Sequence, residues 1–273
     1  MPATPFTDPD LIAGQLYADA DRIQQRTNAL HTAKIAGDDA TATLVELAAH
    51  SAPPSPVVCD IGCGRGSTTL QLAQRLAPAR LIALDQSAAL LNTVRGRFDA
   101  AGRTVETCCA DFHHLPQLDA SIDVAVAAFC LYHSPQPASV IGQVGRCLTP
   151  GGRAVLATKS ANSYREIDQL IAESGLDIHA ATRPSLYTSF HSENAAEITA
   201  TALCVEQVVH HEHVFRFSGL DHLAVYVATS PKYELPDGLV AQPGRLAAEL
   251  HRRLDDHPVV TTSTVTYVSA VRP

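Results

Sequence analysis

Val57-Val58-Cys59-Asp60-Ile61-Gly62-Cys63-Gly64-Arg65-Gly66 reads as a buried strand, a glycine turn and the start of a helix near Ser67. An acid, Asp60, stands two residues before the first glycine. Glycine has no Cβ, so a turn with glycines at 62, 64 and 66 lets a ligand approach the backbone closely. The helix that follows opens with N–H groups that no preceding carbonyl satisfies, and these favour a negative ligand group. The stretch therefore predicts a nucleotide-like cofactor. A dinucleotide fingerprint spaces its glycines G-x-G-x-x-G, whereas here the third glycine arrives one residue early. A phosphate loop would carry Gly-Lys-Ser/Thr, and the turn holds no lysine.

The next elements follow at the interval of a strand–helix–strand repeat. Arg80-Leu81-Ile82-Ala83-Leu84-Asp85 is a second apolar strand ending in an acid, 25 positions after Asp60. A carboxylate there can accept from both hydroxyls of a ribose. Gln86 and Ser87 come next. Residues 104–112 supply a third strand and a further acid, Asp111, which is either a ligand contact or a turn cap. Asp123-Val124-Ala125-Val126-Ala127-Ala128-Phe129 is apolar on both faces, as a central parallel strand is. Cys130-Leu131-Tyr132-His133-Ser134-Pro135 follows it. Leu148-Thr149-Pro150-Gly151-Gly152 then turns into a fifth strand, Arg153-Ala154-Val155-Leu156-Ala157-Thr158.

Taken together, residues 55–160 resemble the class I S-adenosylmethionine (SAM)-dependent methyltransferases, of the type 11 (UbiE-like) small-molecule kind. Asp60, Gly62, Cys63 and Gly64 match the family's first motif. By that resemblance, Asp85 is the ribose acid. Ala110, Asp111 and Phe112 border the adenine, with Asp111 accepting from its amino group. Gln86 and Phe129 complete the cofactor contacts, and the segment around Tyr132 and His133 is the motif after the fourth strand. The implied fold is an α/β Rossmann-like sheet of seven mostly parallel strands, the last antiparallel, with a helical N-terminal arm and a helical cap insertion.

Helical patterns near 67–76, 87–101, 136–148 and 163–174 alternate with the strands, as a parallel sheet covered on both faces requires. Ser163 with Glu166 has the spacing of a capping box, and Gly175 lies just past that helix. Residues 8–50 carry a loose amphipathic stripe, and the proline-rich stretch 51–56 stops any helix. Residues 1–50 are expected to form an arm or lid and 51–273 the SAM-binding domain. Cys204–Phe217 and Val259–Val271 read as the last two strands. The helical pieces near 219–229 and 242–254 between them form the expected cap, about 218–258.

Composition narrows the partners. The 273 residues carry a net charge of −8 and no basic run, so a nucleic-acid surface is not expected. No stretch approaches ~18 consecutive apolar residues, and no membrane span is expected. The N-terminus lacks a basic region and an apolar core, so no secretory leader is expected. The seven cysteines include no C-x-x-C pair and read as reduced thiols of a cytoplasmic protein. Arginine outnumbers lysine 17 to 3, which suggests a GC-rich bacterial genome. A monomer or homodimer is expected.

Methyl transfer is an in-line displacement, so positioning of donor and acceptor dominates catalysis. A hydroxyl or phenol acceptor also benefits from a general base. His133 is the base candidate, since an imidazole titrates near neutrality, with Tyr132 as a partner to the acceptor. Tyr17 and Arg26 on the arm, Asn162 after the fifth strand, and Tyr187 and His191 in the loop 185–193 are acceptor-side candidates. His210, His211 and His213 prompt a metal check. On a strand only 211 and 213 share a face, too few for zinc, so no metal is expected. His113-His114 reads as a surface-loop pair.

The expected function is methyl transfer from SAM to a nitrogen, oxygen or carbon of a small molecule, in bacterial specialised (natural product) metabolism. A quinone or lipid-like acceptor is the alternative within the class. A SAM-binding protein of this fold that transfers no methyl group is the alternative outside it.

Overall fold

The computed structural model describes Thr7 and residues 20–273, with the backbone alone for residues 20, 21 and 23. Tyr17 lies outside the described residues. In chain order the elements are α1 (Ala20–Ala33), β1 (Lys34–Ala36), α2 (Ala40–Ala49), β2 (Val57–Ile61), α3 (Ser67–Leu76), β3 (Arg80–Asp85), α4 (Ala88–Ala100) and β4 (Glu106–Cys109). Then come β5 (Ile122–Ala128), α5 (Pro137–Cys147), β6 (Leu148–Lys159), α6 (Arg165–Glu173), α7 (Ala195–Thr199), β7 (Cys204–Phe217), α8 (Leu220–Thr229), α9 (Pro243–His251) and β8 (Val259–Val271). Single 3₁₀ turns cover Phe112–His114 and Leu131–His133.

The chain divides into two compact units. The larger comprises Asp38–Ser160, Ser189–His210 and Val265–Pro273. Its strands run in the order β7-β8-β6-β5-β2-β3-β4. β2 pairs in parallel with β3 and β5, β3 with β4, and β5 with β6, while β8 joins β6 antiparallel. Chain order thus reverses between β2 and β5. Outside the carboxyl ends of the strands at such a switch point, an open α/β sheet binds its ligand. β5 is central because Val124, Ala125, Val126 and Ala127 are all fully buried, which only a strand covered on both faces allows. The core on one side joins Leu72, Leu91, Val94 and Phe98 from the helices to Val58, Val126, Val155 and Tyr267 from the sheet. Tyr267 meets its polar demand by donating to Asp38 Oδ2 at 2.7 Å.

The smaller unit comprises the described part of Met1–Gly37, with Ala161–Thr188 and His211–Thr264. Its core gathers Ile167 and Ile171 of α6, Leu220, Leu223, Tyr226 and Val227 of α8, and Leu246 and Leu250 of α9. Here β1 pairs antiparallel with β7.

Two expectations change. The sheet has eight strands rather than seven, because Lys34–Ala36 is a strand inside the stretch expected to be helical. Three residues give no periodicity to read, and their pairing with Val214 and Phe215 is a tertiary event. The Ser163–Glu166 capping box does not form. Tyr164, at φ +67°, is the N-cap of α6 and makes no side-chain cap bond. Ser163 instead bonds Ser263 Oγ at 2.8 Å, and Glu166 accepts from Thr261 Oγ1 at 2.7 Å. Long-range partners outcompete the local cap.

Candidate cofactor site

The turn after β2 is built from backbone bonds. Cys63 N donates to Leu84 O at 3.0 Å and Gly66 N to Cys63 O at 2.9 Å, tying the turn to β3. Gly62 and Gly64 lie at φ +64° and +54°. A Cβ on Gly62 would stand 2.6 Å from Cys130 Cβ, so this glycine lets the turn pack on the chain leaving β5. One on Gly66 would stand 2.9 Å from Val94 of α4. Only above Gly64 is there nothing within 4 Å. Of the three glycines taken from the sequence as a ligand cradle, two are therefore packing positions and one borders open space.

Asp85 sits beside that space. Its Oδ2 accepts from Gly64 N at 2.9 Å and its Oδ1 from Ser87 N at 2.9 Å. Each oxygen keeps a further lone pair, so the carboxylate is oriented without being used up. Burial raises its pKa, against the two N–H groups that lower it. Asp60 is 1 % exposed, and its Oδ2 accepts from Thr69 Oγ1 at 2.6 Å. Its Oδ1 is buried with no hydrogen bond among the described residues. Burial pushes Asp60 up to about 7, Thr69 opposes this, and the Asp85 charge adds to it.

A carboxyl with a raised pKa favours the folded state most at pH values below its unfolded pKa, and that contribution is lost as pH rises through the folded pKa. Between pH 5 and 8 the ligand-free protein should therefore lose stability through Asp60. Asp60→Asn should gain on wild type over this range in urea midpoint. Parallel pH profiles of the two proteins would show that Asp60 does not titrate there.

Asp111 serves as the cap that the sequence left open. Its Oδ1 accepts from His113 N at 2.9 Å and from His113 Nδ1 at 2.7 Å. Burial raises this carboxyl, but the His113 bonds outweigh it and hold it below the usual carboxylate range. His113 Nε2 reaches Ser134 Oγ at 2.8 Å, and Ser134, fully buried, accepts from Gln136 N at 2.9 Å. All partners are satisfied if Nδ1 carries the hydrogen and Ser134 donates to Nε2. His113 is thus no loose surface residue. It links the turn after β4 to the turn after β5. Nothing in the composition signalled this, although the Asp-x-His spacing allows it.

Tyr132 and His133 are each 8 % exposed, with ring centroids 4.7 Å apart. Phe129 follows β5 at φ +56°, and Lys159 Nζ lies 5.8 Å from its ring centroid. Gln86 is exposed, and Ala110 and Phe112 are half-buried beside Asp85 and His113 respectively. His191 is in the larger unit, where its Nδ1 bonds Glu193 Oε2 at 2.6 Å. Arg26, Asn162 and Tyr187 belong to the smaller unit. There Arg26 donates to Thr229 O at 3.3 Å, Tyr187 is buried and Asn162 is exposed.

His210 bonds Thr266 Oγ1 at 2.7 Å, and His213 is 4 % exposed and packs beside Phe215. Among the described residues no group of three or more His, Cys, Asp or Glu could hold a metal ion, and no helix is long and apolar enough to cross a membrane. All seven cysteines are free thiols.

A family model described as a methyltransferase domain matches residues 58–152, the span from β2 through the turn opening β6. That span is a methyltransferase domain of the class I SAM-dependent kind. The chain is 35 % identical to a malonyl-[acyl-carrier protein] O-methyltransferase of Marinomonas sp. over 44 % of this chain and 44 % of that protein. It is 24 % identical to a carboxy-S-adenosyl-L-methionine synthase of Pectobacterium atrosepticum over 66 % of this chain and 73 % of that one. The chain spans less than half the length of the first curated relatives it matches. In fold it resembles a solved methyltransferase structure from Bacillus halodurans, with a TM-score of 0.61 at 15 % identity, covering 86 % of this chain and all of that one.

The cofactor of this domain is SAM. The residues present fit it. Open space above Gly64, an oriented carboxylate beside it and a buried acceptor at Asp60 Oδ1 still wanting a donor suit a cationic ligand that carries hydroxyls.

Proposed function

We propose that this chain transfers a methyl group from SAM to a small-molecule acceptor over the carboxyl ends of β5 and β6. The observation that carries the proposal is the Asp85 carboxylate, fixed by Gly64 N and Ser87 N at the edge of the open glycine turn. Bound SAM supplies a methyl group made electrophilic by its sulfonium. Asp85 would take the ribose hydroxyls, and the backbone of Gly62, Cys63 and Gly64 would run alongside, with Asp60 beneath. Gln86, Ala110, Asp111 and Phe112 would border the adenine, and Phe129 the transferred methyl. Asp111 would present Oδ2 to the adenine amino group, since His113 already engages Oδ1.

His133 and Tyr132 would shape the acceptor side from the turn after β5. A net charge of −8 supports a small molecule over nucleic acid, in a cytoplasmic enzyme of specialised metabolism that acts as a monomer or homodimer. The Marinomonas relative, an O-methyltransferase by name, supports transfer to oxygen.

A second reading, SAM use without methylation, is favoured by the relative named as a carboxy-S-adenosyl-L-methionine synthase. Incubation of the pure protein with methyl-labelled SAM and a bacterial metabolite extract separates the two. Label in a small molecule is expected. Cofactor binding with no labelled product would leave the second reading, and a folded protein that does not bind SAM would end both.

A further inference from the structure

Residues 189–194, which include the acceptor-side candidate His191, carry a hydrogen-bonded chain. The segment is fastened across the ends of two strands. Ser192 N donates to Lys159 O at 3.1 Å, and Thr158 Oγ1 donates to Phe190 O at 2.7 Å, both at the end of β6. Ser189 Oγ donates to Tyr132 O at 2.9 Å, in the turn after β5. His191 N donates to Asn194 Oδ1 at 2.8 Å, which sets the loop's own curvature. β5 and β6 run parallel to β2, so this segment lies at the same end of the sheet as Gly64 and Asp85.

Within it, Ser160 Oγ donates to Glu193 Oε1 at 2.9 Å, and Glu193 Oε2 stands 2.6 Å from His191 Nδ1. Burial raises the Glu193 carboxyl, but the His191 and Ser160 bonds outweigh it, so it stays ionised at neutral pH. Glu193 N–H also points at Nδ1, at 3.4 Å. At 2.6 Å, however, a carboxylate oxygen and a bare nitrogen lone pair would repel, so Nδ1 carries the hydrogen. The lone pair is then at Nε2, which has no hydrogen bond to any described residue, on a side chain 21 % exposed. A carboxylate on Nδ1 that leaves Nε2 open is the arrangement of a general base. His133 is more enclosed, at 8 % exposure.

We propose that His191 is the general base of this site, oriented by Glu193 and Ser160, and that the acceptor is a molecule presenting a hydroxyl, phenol or amine. This rests on the methyltransferase reading and narrows it. A carboxylate acceptor has no proton to give, and a base on this side would be idle. The acceptor's proton passes to Nε2 as its heteroatom takes the methyl carbon. The S–CH3 bonding pair stays on sulfur, and the imidazolium returns the proton to water. Methyl ether or methylamine and S-adenosylhomocysteine leave.

Two measurements test it. Nitrogen-15 NMR of the full chain, with the resonance assigned by its loss in His191→Gln, should show the Nδ1–H tautomer, and Glu193→Gln should shift it toward Nε2–H. An Nε2–H tautomer in wild type would overturn the proposal. With the acceptor found by labelling, His191→Gln should lower kcat by about 10²–10⁴-fold, with SAM affinity by calorimetry unchanged. Imidazole in the buffer should restore part of the rate to His191→Ala. Undiminished turnover in His191→Gln, a rate loss confined to His133→Ala, or a product methylated at carbon or carboxylate would each overturn it. Failure of the wild-type protein to bind SAM would instead overturn the methyltransferase reading beneath it.

Discussion

Asp85→Ala should weaken SAM binding by about 5- to 150-fold, equivalent to about 1–3 kcal/mol for a lost hydrogen-bonded carboxylate. Two effects act together. The ribose hydroxyls would lose their acceptor, and Gly64 N and Ser87 N would lose the oxygens that hold the turn in shape. The second effect explains why the turn itself should loosen although its glycines are intact. Asp85→Asn should fall between the two, because an amide offers one acceptor where the carboxylate offers two. Calorimetric titration checks binding, and circular dichroism checks that the fold survives. Unchanged affinity in Asp85→Ala would mean that the cofactor does not lie against β3.

Gly62→Ala should be the most destabilising single methyl in the site, while Gly64→Ala should act mainly on binding. Both residues have positive φ, so each alanine incurs about 1–2 kcal/mol of backbone strain. At Gly62 the new Cβ also meets Cys130 Cβ at 2.6 Å and Sγ at 2.9 Å. Cys130 cannot swing away freely, since its thiol donates to Ile61 O at 3.3 Å and it leads into the turn that holds Tyr132. Overpacking of this kind adds about 1–3 kcal/mol. A total near 2–5 kcal/mol should appear as a lowered urea midpoint. At Gly64 the methyl meets nothing within 4 Å, so only the strain remains, but the methyl occupies the face where the ligand must approach. Its loss of SAM affinity should exceed its loss of stability. Equal urea midpoints for the two variants would contradict the close Gly62–Cys130 packing.

The chain shows how far local pattern reaches. The strands around β2, β3 and β5 were legible because burial on both faces produces apolar runs that need no partner to be recognised. Helix ends fell close to expectation where a proline or a Ser N-cap marked them, as at Pro137 and Ser87. Pattern failed where a distant residue decided. β1 exists only through its pairing with Val214 and Phe215, and the Ser163 cap lost to Ser263 and Thr261, about a hundred positions away.

The acids at 60, 85 and 111 were read as cofactor contacts, with a turn cap left open for Asp111, and the structure gives them three environments. Asp60 is buried against Thr69, Asp85 is oriented by the turn, and Asp111 caps its own turn and pairs with His113. Spacing places a carboxylate at a strand end. It cannot say which lone pairs the neighbours will take.

By itself the sequence determined the methyltransferase domain, the parallel sheet and the glycine turn. Strand periodicity, turn chemistry and the interval of one repeat are local properties written residue by residue. Only the tertiary structure decided that Gly64 alone of the three glycines borders open space, that His113 joins two turns, and that Glu193 meets Nδ1 of His191. Those depend on which side chains from distant segments arrive at the same place. Packing and hydrogen-bond competition settle that question, and no single stretch of sequence contains it.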